Sequence, residues 1–268
     1  MGARVERAGQ KGYNAPVESY VRAVEDDSPS AAGALEDFER LTLLMRAQHI
    51  LLAASCIILI VTGIPLRYPD SDFARFFFGL TQGVSLPGLL HRIGAAALIA
   101  VSAFHMAYIV FTREGRDQWR YLLPRLKDVR DVVQNVAYFF GLRRDRPRFD
   151  RYSYFEKFDY WAVYWGCVIM ILSGVVLWFH EQAMRFLPKI AVDVAHEAHS
   201  DEGLLAMLAI VIWHFYNVHF NPDRFPMNWA WLTGKMSRED MTKHHPLEYE
   251  RLVGSTAEGG AQEGGAEP

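Results

Sequence analysis

The chain has 268 residues, of which 51% are hydrophobic and 22% are charged, with a formal net charge of -3. This charge gives no overall positive field, so the composition predicts no nucleic-acid partner. The two cysteines, Cys56 and Cys167, both fall in apolar windows, and no Cys-x-x-Cys-His run is present. The sequence therefore excludes a disulfide framework and covalently attached c-type haem.

The apolar residues are concentrated in four windows of the chain. Residues 1–40 are polar, carry no apolar signal-peptide core and are interpreted as an N-terminal extension. A membrane helix needs about 20 mostly apolar residues, which predicts a four-helix transmembrane domain over residues 41–252 and a disordered tail over 253–268. The predicted fold class is all-α, an integral membrane four-helix bundle. Its spans are about 48–66, 87–111, 160–179 and 199–220.

The charged residues between the windows predict the orientation of the bundle. Lys and Arg are dense in the segment 113–157, whereas 67–86 and 180–198 hold two each. The positive-inside rule then places the basic segment and both termini on the cytoplasmic side of the membrane. Part of the basic segment is apolar at helical spacing, which predicts a cytoplasmic interfacial helix on the lipid bilayer. Its apolar residues are Leu126, Val129, Val133, Val136 and Phe140.

Five of the ten histidines lie inside the predicted spans. A polar side chain in the bilayer is costly and suggests a function. A single one is more often a hydrogen-bonding group between helices, but five at matching depths are harder to explain in that way. They are His49, His91, His105, His199 and His214.

The spacing of these histidines predicts bound haem. His91 and His105 are fourteen residues apart, and His199 and His214 are fifteen apart. At 100° and 1.5 Å per residue, each helix presents two imidazoles to one side, about 21 to 22 Å apart along its axis. Two such helices can hold two stacked b-type haems, one near each leaflet, because iron takes two axial nitrogens and the bundle interior is apolar.

Fewer histidines compete for the haem of the outer layer than for that of the inner layer. His91 and His199 are the predicted ligands of the outer haem, with His196 as a competitor one turn away from His199. Arg92 follows His91 directly and is a candidate partner for a haem propionate. The alternative for Arg92 is that its side chain extends to the lipid headgroups.

The inner layer contains three histidines at similar depth. The inner haem is predicted on His214 with either His49 or His105, since only two can ligate one iron. The third either forms a hydrogen bond or serves a third haem, so the sequence leaves two or three haems open. Arg46 lies one turn before His49 and is a second candidate partner for a propionate.

Other residues of the spans and loops have less specific patterns. Four glycines interrupt the spans and predict close approach of a flat ring or a neighbouring helix. They are Gly63, Gly94, Gly166 and Gly174. His180, His244 and His245 lie outside the spans and are predicted to be solvated surface groups.

Short motifs in chain order resemble the cytochrome b subunits of membrane formate dehydrogenases, and also those of nickel–iron hydrogenases and thiosulfate reductases. The resemblance covers roughly residues 40–250. Its motifs are Arg46-Ala-Gln-His49, Thr62-Gly63-Ile64-Pro65, Leu90-His91-Arg92-Ile93-Gly94, Ala198-His199-Ser-Asp-Glu-Gly203, Trp213-His214-Phe215-Tyr216 and Lys243-His244-His245-Pro246.

The resemblance implies a ligand set and a function. It pairs His91 with His199 for the outer haem and His49 with His214 for the inner haem, with quinone or menaquinone bound beside the inner haem. It implies an iron–sulfur or multihaem cytochrome subunit as the partner on the outer side, within a quinone-linked respiratory complex of the bacterial inner (cytoplasmic) membrane. The chain departs from the family in two ways. His105 is not expected, and the spacing in the fourth span is one residue longer. The longer spacing implies either a local distortion of that helix or a place for His196 in the outer layer.

Several other functions are weighed against this one. A zinc protease needs its two histidines four residues apart on a helix, whereas His196 and His199 are three apart. A transporter is disfavoured because the spans contain almost no Asp, Glu or Lys. A haem-free membrane anchor and a stand-alone transmembrane haem reductase remain as alternatives. The first predicts a colourless protein, and the second predicts activity without a partner subunit.

Overall fold

The computed structural model describes residues 37–222 and 224–263. Most of the predicted N-terminal extension and residues 264–268 therefore lie outside the described residues. Within the described chain, the two strands β1 (Phe38–Glu39) and β2 (Lys235–Met236) form one antiparallel pair. The other regular elements are helices, which confirms the predicted all-α membrane bundle.

Most of the helices follow one another with short connections. The first eight are α1 (Leu43–Arg67), α2 (Asp72–Leu80), α3 (Ser85–Phe111), α4 (Arg113–Leu122), α5 (Leu126–Phe139), α6 (Tyr154–Trp178), α7 (His180–Phe186) and α8 (Lys189–Leu208). Two π-helical segments, Ala209–His214 and Tyr216–Phe220, continue α8. The last three helices are α9 (Ala230–Thr233), α10 (Arg238–His244) and α11 (Pro246–Glu263).

Four helices are long and apolar enough to cross a membrane. They are α1, α3, α6 and the continuous helix Lys189–Phe220. Three of them begin five or more residues before the predicted windows, because helical structure continues into polar residues at their ends. At the start of α6, Ser153 Oγ accepts a hydrogen bond from the Glu156 backbone N–H at 3.3 Å. The Glu156 carboxylate accepts one from the Ser153 N–H at 2.8 Å. This capping box fixes the first turn.

The fourth membrane helix changes its winding between its two histidines. From Ala209 the segment is π-helical. Its backbone hydrogen bonds join residues five apart in the chain, whereas those of an α-helix join residues four apart. A π-helical turn accommodates an extra residue without breaking the helix. Of the two consequences that the family resemblance implies for the longer spacing of His199 and His214, this is the local distortion.

The bundle consists of two helix pairs. α1 packs along α3 and α6 packs along α8, whereas contacts between the two pairs are sparser. Within the first pair, a Cβ atom on Gly94 would lie 3.0 Å from Ile58 Cγ2, so this glycine allows close approach of the two helices. In the second pair, a Cβ on Gly166 would lie 3.0 Å from Glu202 Oε1. The predicted ligands lie at the seam between the two pairs.

Five polar residues are buried together at one end of the bundle, where β1, α4, the segment before α6 and the start of α11 meet. Arg151 donates to Glu248 Oε1 at 2.7 Å and to Gln118 Oε1 at 3.0 Å. Arg40 pairs with the other carboxylate oxygen of Glu248. We call the set Arg40, Gln118, Arg151, His245 and Glu248 the polar clasp.

His245 lies inside the polar clasp and is fully buried, so the prediction that it is a solvated surface group is wrong. Its Nδ1 lies 2.8 Å from the backbone oxygen of Asp150. Burial, together with the positive charge of Arg40, lowers the pKa of His245 to about 4. Burial alone would raise the pKa of Glu248, but Arg40 and Arg151 outweigh it and hold that pKa below its ordinary value. The residues next to His245 in the sequence do not indicate that Arg40, 205 positions earlier in the chain, packs against its ring.

The C-terminal region begins with a helix that is joined to the rest of the fold. Helix α11 runs from Pro246 to Glu263, and the disordered tail that composition predicts over residues 253–268 stays a prediction. The first turns of α11 are anchored by Glu248 in the polar clasp and by Tyr249, which packs edge-on against Phe38. These two contacts explain why a helix starts here.

Candidate functional site

The outer histidines face each other across the seam between the helix pairs. His91 is in the second turn of α3, and His199 is in the middle of α8. Their ring centroids are 6.3 Å apart, and the ring planes are inclined by 72°. The structure thus brings together two imidazoles that are 108 residues apart in the chain, counted from 91 to 199.

Each outer imidazole forms a hydrogen bond with a hydroxyl group on a neighbouring helix. Thr62 Oγ1 donates to the Ile58 carbonyl at 2.7 Å, and Ser173 Oγ donates to the Ile169 carbonyl at 2.6 Å. A hydroxyl has only one hydrogen, so each oxygen then accepts the Nδ1–H of its histidine, at 2.9 Å for His91 and 3.0 Å for His199. This network assigns the proton to Nδ1 and the lone pair to Nε2, the form in which imidazole binds a metal.

Two of the predicted glycines lie against these rings. A Cβ atom on Gly63 would be 3.4 Å from His91 Cε1, and one on Gly174 would be 3.0 Å from His199 Cε1. Real Cβ contacts rarely come as close as the second distance. Gly63 follows Thr62 and Gly174 follows Ser173, so each outer histidine lies on a hydroxyl–glycine pair. The two helix pairs therefore hold their imidazoles in the same way.

The inner histidines form a second facing pair. His49, near the start of α1, and His214, at the end of the first π-helical segment, have ring centroids 6.3 Å apart and planes inclined by 41°. His214 Nδ1 lies 3.3 Å from Asp159 Oδ2. His49 Nδ1 is buried without a hydrogen-bond partner among the described residues, and the ring lies 5.9 Å from that of Trp231.

His105 lies in the same layer but is held by other residues. Its Nδ1 is 2.9 Å from Gln48 Oε1, and its Nε2 is 3.0 Å from the Tyr160 hydroxyl. An amide oxygen only accepts, so Nδ1 carries the proton and Nε2 accepts from the tyrosine. Both ring nitrogens are used within the protein. The sequence leaves His49 and His105 as competitors, and the structure places His49 opposite His214.

The arginines predicted to meet propionates also have protein contacts. Arg46 Nη1 donates to the Leu232 carbonyl at 2.6 Å, while its Nε is buried with no hydrogen-bond partner in the described part of the chain. The Arg92 guanidinium lies over the Trp178 ring, 6.0 Å from its centroid. His196, the competing histidine of the outer layer, is mainly exposed, and its Nδ1 lies 3.5 Å from Glu197 Oε1.

The two facing pairs suit a metal ion with two axial nitrogens. An imidazole nitrogen binds a first-row metal at about 2.0 Å, so two rings facing one iron from opposite sides have centroids roughly 6 Å apart. Both pairs meet this requirement. The Nδ1 hydrogen bonds of His91, His199 and His214 leave Nε2 of each ring as the nitrogen available to iron. The residues present therefore fit bis-imidazole haem.

Comparison with known proteins identifies the family. The profile of the prokaryotic cytochrome b561 family matches residues 40–227, which contain all four membrane helices. The chain belongs to this family. It is also 21% identical over 219 residues to the cytochrome b556(Fdn) subunit of the nitrate-inducible formate dehydrogenase of Escherichia coli K12, covering 82% of this chain and 93% of the relative. The corresponding subunits of Escherichia coli O157:H7 and Shigella flexneri match to the same extent.

Membership in the prokaryotic cytochrome b561 family makes the chain a membrane cytochrome b that carries haem b and transfers electrons. The resemblance found in the sequence motifs is thereby confirmed. The matched region stops before the polar clasp is complete, since His245 and Glu248 lie beyond residue 227.

Sequence reasoning missed the hydrogen-bond partners of this cytochrome's imidazoles. Thr62 and Ser173 are ordinary hydroxyl residues in apolar spans, and each directly precedes one of the four glycines that interrupt the spans. Asp159 lies at the entrance of the third span, 55 residues before His214. A hydroxyl–glycine dipeptide in two different spans was the available signal. The partners themselves depend on which helices pack together.

Proposed function

We propose that the chain is a di-haem cytochrome b subunit that transfers electrons between membrane quinone and a partner redox subunit. The observation that carries the proposal is the presence of two facing histidine pairs with equal centroid separations. One pair combines α3 with α8, and the other combines α1 with the π-helical continuation of α8. Iron between each pair would join the two halves of the bundle at two depths.

The proposal gives each residue a role. His91 and His199 hold the outer haem, and His49 and His214 hold the inner one, while His105 is a hydrogen-bonding residue of the inner layer. When bound, haem supplies the one-electron chemistry, and the protein supplies ligation, spacing and burial. Thr62, Ser173 and Asp159 orient the rings and make their Nε2 atoms better donors to iron.

We also propose that both termini are cytoplasmic and that quinone or menaquinone reacts near the inner pair. Asp159 supports this location, because a carboxylate beside His214 can exchange protons with water at the same end of the bundle. The partner would be an iron–sulfur or multihaem subunit on the outer side. Support comes from the Escherichia coli relative, which is a cytochrome subunit of a formate dehydrogenase.

The proposal is tested by the haem content of the purified full-length protein. A pyridine haemochrome assay, calibrated to polypeptide concentration, should give two b-type haems per chain. A colourless protein from cells with ample porphyrin supply would support the haem-free anchor instead. Quinol oxidation by the lone polypeptide with a soluble ferric acceptor would support the stand-alone reductase.

The ligand assignment is tested by single alanine variants. His91→Ala and His199→Ala should each remove the outer haem, and His49→Ala and His214→Ala the inner haem, leaving about half of the wild-type haem in each case. His105→Ala is the matched control, because it removes an imidazole from the same layer. Full haem content in His49→Ala combined with loss in His105→Ala would reverse the inner assignment.

A further inference from the structure

Arg67, at the end of α1, has one guanidinium nitrogen without a partner. Its Nε donates to the Tyr68 hydroxyl at 3.0 Å, and its Nη2 donates to Asp201 Oδ1 at 2.8 Å. Its Nη1 is buried and has no hydrogen-bond partner among the described residues. A buried N–H of a charged group that lacks an acceptor is unfavourable, so this nitrogen points to an acceptor that the chain itself does not provide.

The position of Arg67 suggests what that acceptor is. Residue 67 lies one helical turn beyond Gly63, whose Cα faces the ring of His91. Asp201, which holds the other side of the guanidinium, follows His199 by two residues. Arg67 therefore lies at the outer rim of the facing pair of His91 and His199, linked to both helix pairs.

We propose that Arg67 Nη1 binds a propionate carboxylate of the haem held by His91 and His199; this inference rests on the proposed function. The propionates are the charged groups of haem, and guanidinium–carboxylate bonds are charge-assisted and strong. Asp201 orients the guanidinium from one edge, which leaves the Nη1 edge for the ligand. Arg92, the candidate from the sequence, lies instead against Trp178.

The proposal is tested on the full-length cytochrome in nanodiscs with Arg67→Gln and Arg67→Lys. Arg75→Gln and Arg75→Lys are the controls, since Arg75 is an exposed arginine of the next helix and pairs with Asp72. Redox titration followed in the haem absorbance bands gives a midpoint potential for each haem. Arg67→Gln should shift the outer-haem potential to a more negative value, because a positive charge beside the haem favours its reduced form. The inner-haem potential should not change.

A second measurement separates propionate binding from a general charge effect. Redox-induced infrared difference spectra, recorded with haem labelled by carbon-13 at the propionates, report on those carboxylates directly. Arg67→Lys keeps the charge and can keep the pair with Asp201, but it loses the fork of N–H donors, so the labelled bands should shift. The bands should stay unchanged in Arg75→Lys.

The outcomes distinguish this inference from the proposed function. An outer haem with wild-type potential in Arg67→Gln and wild-type propionate bands in Arg67→Lys would overturn the role of Arg67 and leave the di-haem proposal standing. Absence of b-type absorbance in the wild-type protein would overturn both. If Arg67→Gln fails to fold, the infrared propionate bands of Arg67→Lys decide whether Arg67 binds the propionate.

Discussion

At the scale of single residues, the imidazoles depend on neighbours that are not themselves ligands. Thr62 and Ser173 each donate to a carbonyl one turn back in their own helix and therefore accept from the histidine opposite. This arrangement fixes both the ring orientation and the tautomer. A hydroxyl in an apolar helix is often only a local hydrogen-bonding group. Here its second contact crosses to another helix.

Thr62→Val and Ser173→Ala test this role. Each variant removes the acceptor for a histidine Nδ1–H, and loss of such an outer partner weakens metal binding by about 10 to 100-fold. We expect that loss in the affinity of the outer site, measured by haem transfer to apomyoglobin. Ser55→Ala is the control, since Ser55 is equally buried and donates to the Leu51 carbonyl, but contacts no histidine. Equal haem transfer from all three variants would contradict the assignment.

Gly174→Ala tests the close approach of the His199 ring. The added methyl group would lie 3.0 Å from His199 Cε1, so the imidazole must move. Overpacking of this kind costs about 1 to 3 kcal/mol of stability, and we also expect a lower haem content. In the control Gly88→Ala the new methyl group meets no atom within 4 Å. Unchanged haem content and melting temperature in Gly174→Ala would show that the ring has room.

At the scale of helices, α5 has its polar side turned toward the protein and its apolar side turned outward. Lys157 Nζ donates to Asp128 at 2.8 Å, Asn135 Nδ2 donates to the Tyr154 hydroxyl at 2.7 Å, and Asp131 is only 7% exposed. On the opposite side Leu126 is 80% exposed and Val133 63%. Exposed apolar stripes of this size are stable where lipid covers them.

We therefore predict that the outer side of α5 contacts the lipid bilayer. A nitroxide label at position 133 should be relaxed more strongly by oxygen than by a water-soluble nickel chelate. A label at the exposed position Arg144, in the connection after α5, should show the opposite preference. A label at 133 that is protected from both reagents would instead place a protein partner on this side of the helix.

At the scale of the whole molecule, the polar clasp joins the two ends of the described chain to the bundle. Arg40 directly follows β1, Glu248 lies in α11 and Arg151 lies in the segment before α6. Removal of one partner from a buried ion pair typically costs about 3 to 5 kcal/mol, because the other charge stays buried. None of the five clasp residues lies in one of the four membrane helices.

The polar clasp should weaken in acid. Arg40, Glu156, Glu248 and the Asp150 carbonyl face His245, which has a pKa of about 4 in the fold against an ordinary value of 6.5. Between those pH values the unfolded segment binds a proton that the folded segment excludes. The stability of the folded clasp therefore decreases as the pH is lowered from 6.5 to 4, by on the order of 3 kcal/mol. The lowered pKa of Glu248 has an effect of the same sign. Its contribution to the stability of the clasp is lost as the pH falls below the ordinary pKa of an unfolded glutamate.

This pH dependence can be measured by hydrogen exchange of the amides of α10 and α11, corrected for intrinsic rates. Protection should be constant above pH 7 and decrease between pH 6.5 and 4. His245→Gln should flatten that decrease, because glutamine does not titrate. An equally steep decrease in His245→Gln would exclude His245 as its source.

The sequence by itself determined the number of membrane helices, because about 20 consecutive apolar residues have no other stable environment than lipid or a large core. It also determined which histidines share a layer, since helical rise and rotation follow from residue spacing alone. These features depend on local geometry, which the order of residues fixes.

Only the tertiary structure decided which side chains meet. It placed His49 rather than His105 opposite His214, gave the outer imidazoles their hydroxyl partners and buried His245 beneath Arg40. Each of these contacts joins residues from different helices or strands. Their distances depend on how the elements rotate and pack against one another, and no spacing along one helix encodes that rotation.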